Sequence, residues 1–229
     1  MTISNDSRSR VKKALEPIAL GMGRLGFTPD GLTLIGFAIT AAGAGLVSQQ
    51  LWLPGGLVVF IGGAFDLFDG TLARATGRVS KLGAFMDSVF DRSGEMLAYL
   101  GIVIGSVGAG FDEVAILATA AMGAAFMVSY TRAKSEGLGF TAGIGMAAVG
   151  IMPREIRLVI LSLGLIAAGA FGVPIVHPPA GATCIESCIQ TGGFVLLGAL
   201  AVIAVGATVT VIQRILHVRS QAHAQSTHS

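Results

Sequence analysis

The sequence predicts an all-α integral membrane protein, with six transmembrane helices preceded by an N-terminal interfacial amphipathic helix. Three observations carry that expectation. Hydrophobic residues make up 53% of the chain and charged residues only 12%, about half the charged share of a soluble domain. The apolar residues gather into six runs, each near the roughly 20 residues that cross a bilayer. The basic residues fall almost wholly on one side of those runs.

Taken in order, the stretch 9–27 is the interfacial helix. Val11, Leu15, Ile18, Ala19 and Met22 share one face, while Arg10, Lys12, Lys13 and Arg24 decorate the rest, a pattern suited to a membrane surface. Pro17 should kink or restart it. The six spans are expected at 32–49, 51–68, 83–107, 111–131, 155–176 and 191–213. Only Gln49 and Gln50 separate the first two, so they form a tight hairpin. The 33 glycines suit helices whose backbones approach closely. No polar linker divides the chain, so 1–219 reads as a single membrane domain. The polar tail 220–229, with His223 and His228, is expected to be disordered.

Orientation follows from the positive-inside rule. Of fifteen Lys and Arg, only Arg92 falls well inside a span on this count, and the loops 49–51, 108–112 and 177–190 contain none. Both termini and the loops 69–82 and 132–154 are therefore expected to be cytoplasmic, in a multi-pass protein of the cell membrane. The first long apolar run begins near Gly31, behind Arg8, Arg10, Lys12 and Lys13 and without a small-residue cleavage site, so no cleavable signal peptide is expected. Cys184 and Cys188 share one loop without zinc or redox spacing; they are free, or bridged if that loop faces an oxidising space. No nucleic-acid partner is expected.

The chemistry-bearing segment joins the second and third spans. Asp66 and Asp69 close one at i, i+3, and Asp87 and Asp91 open the next at i, i+4, so each pair shares a helix face. Four acids in apolar sequence repel one another and are costly to bury. Hard divalent cations, Mg²⁺ or Mn²⁺, would compensate them. Pairing with Arg74, Arg78, Lys81 and Arg92, or a proton or ion path in a transporter, would do so as well. Gly70 and Gly83 let a backbone approach a bulky ligand, and the forked guanidinium of Arg74 is shaped for phosphate.

The segment Asp66-x2-Asp69-Gly70-x2-Ala73-Arg74-x8-Gly83-x3-Asp87-x3-Asp91 resembles the motif of the CDP-alcohol phosphotransferase family at every specified position. The resemblance implies a membrane enzyme in which Asp66, Asp69, Asp87 and Asp91 hold two Mg²⁺ or Mn²⁺ ions and Asp91 is also the general base. It implies a CDP-linked lipid donor bordered by Pro29, Asp30, Gly31, Leu32, Gly70, Ala73, Arg74, Ser80 and Gly83. An acceptor hydroxyl attacks the β-phosphorus and CMP leaves. Bound membrane lipids and a homodimer are further implications.

A second group of residues bears on the acceptor. Ser129-Tyr130-Thr131-Arg132-Ala133-Lys134-Ser135-Glu136, the Gly150–Leu158 segment with Arg154 and Arg157, and Arg214 with Val218 and Arg219 resemble the phosphatidylinositol-phosphate synthase branch. That implies a small phosphorylated alcohol, inositol phosphate, held by Arg132, Arg154, Arg157 and Arg214. Basic residues at cytoplasmic helix ends also serve simply to set orientation. A phosphatidylglycerophosphate synthase, with glycerol phosphate as acceptor, is the alternative within the family. A cation- or proton-coupled transporter is the alternative outside it.

Overall fold

The computed structural model describes residues 16–140, 146–172 and 191–226. Among them there are helices, turns and coil but no strand. A short helix over 16–24 (α1) leads to α2 (Pro29–Ser48), α3 (Trp52–Ala75), α4 (Lys81–Gly108), α5 (Asp112–Gly137), α6 (Arg154–Ala170) and α7 (Thr191–Ser226). A 3₁₀ turn, Met146–Ala148, lies between α5 and α6. A helix stands at each of the six expected places.

Four of these, α2, α3, α5 and Gly192–His223 of α7, are long and apolar enough to cross a membrane. The other two expected spans differ in kind. α4 has the length, 28 residues, but carries Asp87, Asp91, Arg92 and Glu95. α6 has 17 residues and ends at Ala170 rather than near 176; residues 173–190, which include both cysteines of the expected loop, lie outside the described residues. The tail was expected to leave helical order at 220, yet α7 continues to Ser226, with residues 227–229 outside the described set.

Local chemistry sets the helix ends. Thr28 caps α2, its hydroxyl accepting from the Gly31 N–H at 3.1 Å, and Pro29 opens the helix with its fixed φ. Ser80 caps α4 in the same way, accepting from Gly83 N–H at 2.9 Å. The α2–α3 hairpin turns at Gln49 and Gln50, and Gln50 adopts φ 65°.

Small residues then decide which helices meet. A Cβ on Gly62 would press on the Thr40 nitrogen and the Gly36 carbonyl, and one on Gly43 would lie 2.8 Å from the Val59 nitrogen; α2 and α3 therefore pack backbone to backbone. α2 also packs on α4, α5 on α4 and α7, and α6 on α3 and α7. The core between them is built from Val47, Trp52, Val59, Tyr99, Ile102, Leu161, Leu165, Leu200 and Ile203. Large apolar side chains such as Ile104, Ile116, Leu163 and Val205 point outward, as in helices that face lipid rather than water.

The expected surface face of the first helix is only partly outward. Ala19 is buried and packs, with Met22, against Leu32 and Leu72, whereas Ile18 is 53% exposed. Val11 and Leu15 lie outside the described residues.

Candidate active site

The short loop after α3 predicts that α3 and α4 are direct neighbours. In the structure they scarcely touch; α2 packs against both, and the acids face one another across a cleft rather than along a seam. Thr33, Gly36 and Phe37 of α2 line it, with Asp66 of α3, Phe90, Asp91 and Gly94 of α4, and Arg154 of α6.

Each acid is held differently. Asp69 is buried, and the Thr33 hydroxyl donates to its Oδ2 at 2.6 Å; the same hydroxyl reaches the Pro29 carbonyl at 3.2 Å. Asp66 and Asp91, from opposite walls, converge on one cation, the Arg154 guanidinium, whose Nη1 lies 2.5 Å from Asp66 Oδ2 and 2.8 Å from Asp91 Oδ2. Asp87 is half-buried one turn before Asp91, within electrostatic reach of Asp66 and Arg154. All four carboxylates thus share one neighbourhood.

The donor set is four carboxylates with a position between two of them already suited to a positive charge, which fits hard divalent ions. Among the described residues no three acids, His or Cys stand close enough to hold an ion as placed. Asp66, Asp69, Asp87 and Asp91 are the residues that would hold one, with Arg154 as the neighbouring charge that must share Asp66 and Asp91 with it.

Five of the expected donor-binding residues lie at the starts of α2 and α4 and at the cap of α4, and none of the nine lines the cleft itself. Asp30 is exposed, and its Oδ1 is near enough to Gly83 that a Cβ there would lie 3.0 Å from it and from Ser80 Oγ. Pro29, Asp30, Gly31, Ser80 and Gly83 therefore form one patch. Gly70 and Ala73 are half-buried on α3, and exposed Arg74 folds back so that a Cβ on Gly70 would lie 3.2 Å from its Nη1. Leu32 differs: it has no exposed surface and packs against Ala19 and Leu72. Its contribution is to the wall behind the patch.

The four arginines expected at the acceptor divide in two. Arg132 is exposed and pairs with Glu136 at 2.9 Å, and Arg154 stands in the cleft. Arg157 and Arg214 are turned inward. Arg157, 1% exposed, is fixed by Glu95 and by the Met152 carbonyl; Arg214 donates to the Val149 and Val128 carbonyls. Burial with all-internal partners is the reason these two do not open into the cleft.

Two residues that matter here escape a reading by motif. Glu95 is 4% exposed and completes an i, i+4, i+8 acidic face with Asp87 and Asp91, a signal that spacing alone offered. Thr33 gave none, because a helical threonine in an apolar run is ordinarily bonded to its own helix.

The CDP-alcohol phosphatidyltransferase family model matches residues 27–212. A phosphatidylinositol phosphate synthase of Streptomyces avermitilis is 33% identical over 225 residues, covering 94% of this chain and 82% of the relative. An archaetidylinositol phosphate synthase of Pyrococcus horikoshii is 38% identical over 154 residues, covering 67% and 77%. The crystal structure of the Mycobacterium tuberculosis phosphatidylinositol phosphate synthase with CDP-DAG bound superposes with a TM-score of 0.71 at 26% identity, covering 90% of this chain and 94% of that one. The same enzyme in complex with manganese and citrate gives 0.70 at 27% identity, with 89% and 88% covered.

Proposed function

Because the chain belongs to the CDP-alcohol phosphatidyltransferase family, we propose that it transfers a phosphatidyl group from a CDP-linked lipid to inositol phosphate, releasing CMP. The observation that carries the reading is the convergence of Asp66 and Asp91, from two helices that scarcely touch, on a single positive charge, with buried Asp69 one turn along α3 from Asp66. Whole-length similarity to inositol-phosphate enzymes supports the acceptor.

Asp66, Asp69, Asp87 and Asp91 are the residues that would hold Mg²⁺ or Mn²⁺, two ions on this reading. Such ions would supply neutralisation of the diphosphate and of the charge on departing CMP. The chain's own residues do the rest. Pro29, Asp30, Gly31, Ser80 and Gly83, with Gly70, Ala73 and Arg74 opposite, seat the cytidine nucleotide; Leu32 backs that seat. Thr33 fixes the carboxylate of Asp69. Asp91 accepts the proton of the attacking hydroxyl as the new phosphorus–oxygen bond forms and the bond to CMP breaks. Arg154, beside Asp91, meets the phosphate of the acceptor, with Arg132 further out; Arg157 and Arg214 support that wall from inside.

All six long helices cross the bilayer on this reading. α4 does so because its charges crowd the end that forms the cleft, and α1 lies along the membrane surface. The cleft and both termini face the cytoplasm, where the basic residues concentrate. Two copies form a homodimer, and lipids cover the outward apolar faces.

The deciding experiment is CMP release by the purified protein with CDP-diacylglycerol, comparing inositol phosphate and glycerol phosphate side by side. Inositol phosphate is expected to be preferred. Preference for glycerol phosphate would make the chain a phosphatidylglycerophosphate synthase. Ion flux in proteoliposomes without CMP formation would point to a transporter.

A further inference from the structure

We propose that Glu95 and Arg157 are positioning residues: their buried ion pair holds the first turn of α6 so that Arg154 reaches Asp66 and Asp91. The inference rests on the transferase reading above, in which Arg154 serves the acceptor.

The geometry is a two-rung ladder. On α4, Asp91 and Glu95 are one turn apart; on α6, Arg154 and Arg157 are one turn apart. The outer rung joins Arg154 to Asp91 and stands at the cleft. The inner rung is a two-point pair, Arg157 Nε to Glu95 Oε1 and Nη2 to Oε2, both at 2.8 Å. Side chains at the inner rung are 1% and 4% exposed. Helix packing does not hold these two elements together, because α6 rests on α3 and α7 rather than on α4. Long side chains bridge what the backbones leave apart.

Two further facts make the inner rung more than a buried pair. The first is its place at the start of a helix. Arg154 and Arg157 both occupy the first turn of α6, which has no side-chain cap, and the positive end of a helix disfavours cations. They are held there by the acids they face. The second is the coil that delivers Arg154. Arg157 Nη1 donates to the Met152 carbonyl at 3.1 Å, and the Met152 N–H donates to the Thr210 hydroxyl of α7 at 3.0 Å. One guanidinium therefore ties α4, the entry to α6 and, through that entry, α7. If the inner rung is lost, this entry loses one of its anchors just where Arg154 begins.

A direct role for Arg157 in gripping the acceptor's phosphate predicts the opposite effect of altering its partner. Freeing Arg157 from Glu95 would then leave acceptor binding unchanged or stronger. As a strut, the pair fails when either member changes. The test is steady-state kinetics of the full-length protein in detergent micelles with CDP-diacylglycerol and inositol phosphate. Glu95→Gln is expected to raise the acceptor KM by about tenfold or more, as small misplacements in a site do, while the donor KM stays within about twofold. Arg154→Lys should show the same split. An acceptor KM for Glu95→Gln at or below that of the unmodified protein overturns the proposal.

Because one unpaired buried charge can prevent folding, a second variant removes both charges. Glu95→Leu/Arg157→Met is expected to melt no lower than the unmodified protein yet to show the same rise in acceptor KM. A normal acceptor KM in that folded double variant also overturns the proposal. Should the unmodified protein prefer glycerol phosphate, the acceptor assignment fails. The same comparisons are then made with that acceptor, and the strut stands or falls separately.

Discussion

At the scale of single residues, the cleft separates acids that act on substrate from groups that hold them. Asp91 stands on α4 beside Arg154 and is the base of the proposed reaction. Asp91→Asn should lower turnover by about 10²–10⁴-fold, the usual worth of a general base, with CDP-diacylglycerol binding retained; near-normal turnover would remove Asp91 from that role. Thr33 acts one step back, through its 2.6 Å bond to Asp69. A hydrogen bond to a charged group is worth roughly 1.5–3 kcal/mol, so Thr33→Val should weaken the site by about ten- to a hundredfold. The loss should appear in the metal concentration needed for half-maximal rate, with little change in melting temperature. An unchanged metal requirement would leave Thr33 as an ordinary helix threonine.

At the scale of elements, the cleft exists because α2 packs against both α3 and α4. That packing depends on missing side chains. Gly62→Ala must drive a methyl group into the Thr40 nitrogen and the Gly36 carbonyl, and overpacking of this kind costs about 1–3 kcal/mol. It should lower both the melting temperature and, by tilting Thr33 away from Asp69, the rate. Gly45, on the facing helix α2, has nothing within 4 Å of an added Cβ. Gly45→Ala should be neutral or stabilising by up to about 1 kcal/mol, without loss of rate. If the two variants behave alike in thermal unfolding, close approach of α2 and α3 is not what sets the cleft.

At the scale of the whole molecule, topology and metal dependence are the properties to test. With Cys184 and Cys188 both replaced by Ser, a cysteine at Arg78 (Arg78→Cys), in the loop between α3 and α4, should react with an impermeant thiol reagent only from the cytoplasmic side; labelling from outside would invert the proposed orientation. Chelation should abolish CMP release, and Mg²⁺ or Mn²⁺ should restore it. By itself the sequence determined the helical class, the places of the helices and the candidate acids, because apolar runs and fixed i, i+3 and i, i+4 spacings are properties of neighbours along the chain. It also carried the family, through a motif whose residues all lie between Asp66 and Asp91. Tertiary structure alone decided which side chains meet: α2 wedged against α3 and α4, Thr33 on Asp69, Arg154 between Asp66 and Asp91, and Arg157 turned inward onto Glu95. Arg154 and Arg157 are three residues apart and equally basic. The packing of α6 on α3 and α7, with Glu95 of α4 facing Arg157, puts one in the cleft and the other in the core, and no local pattern records that choice.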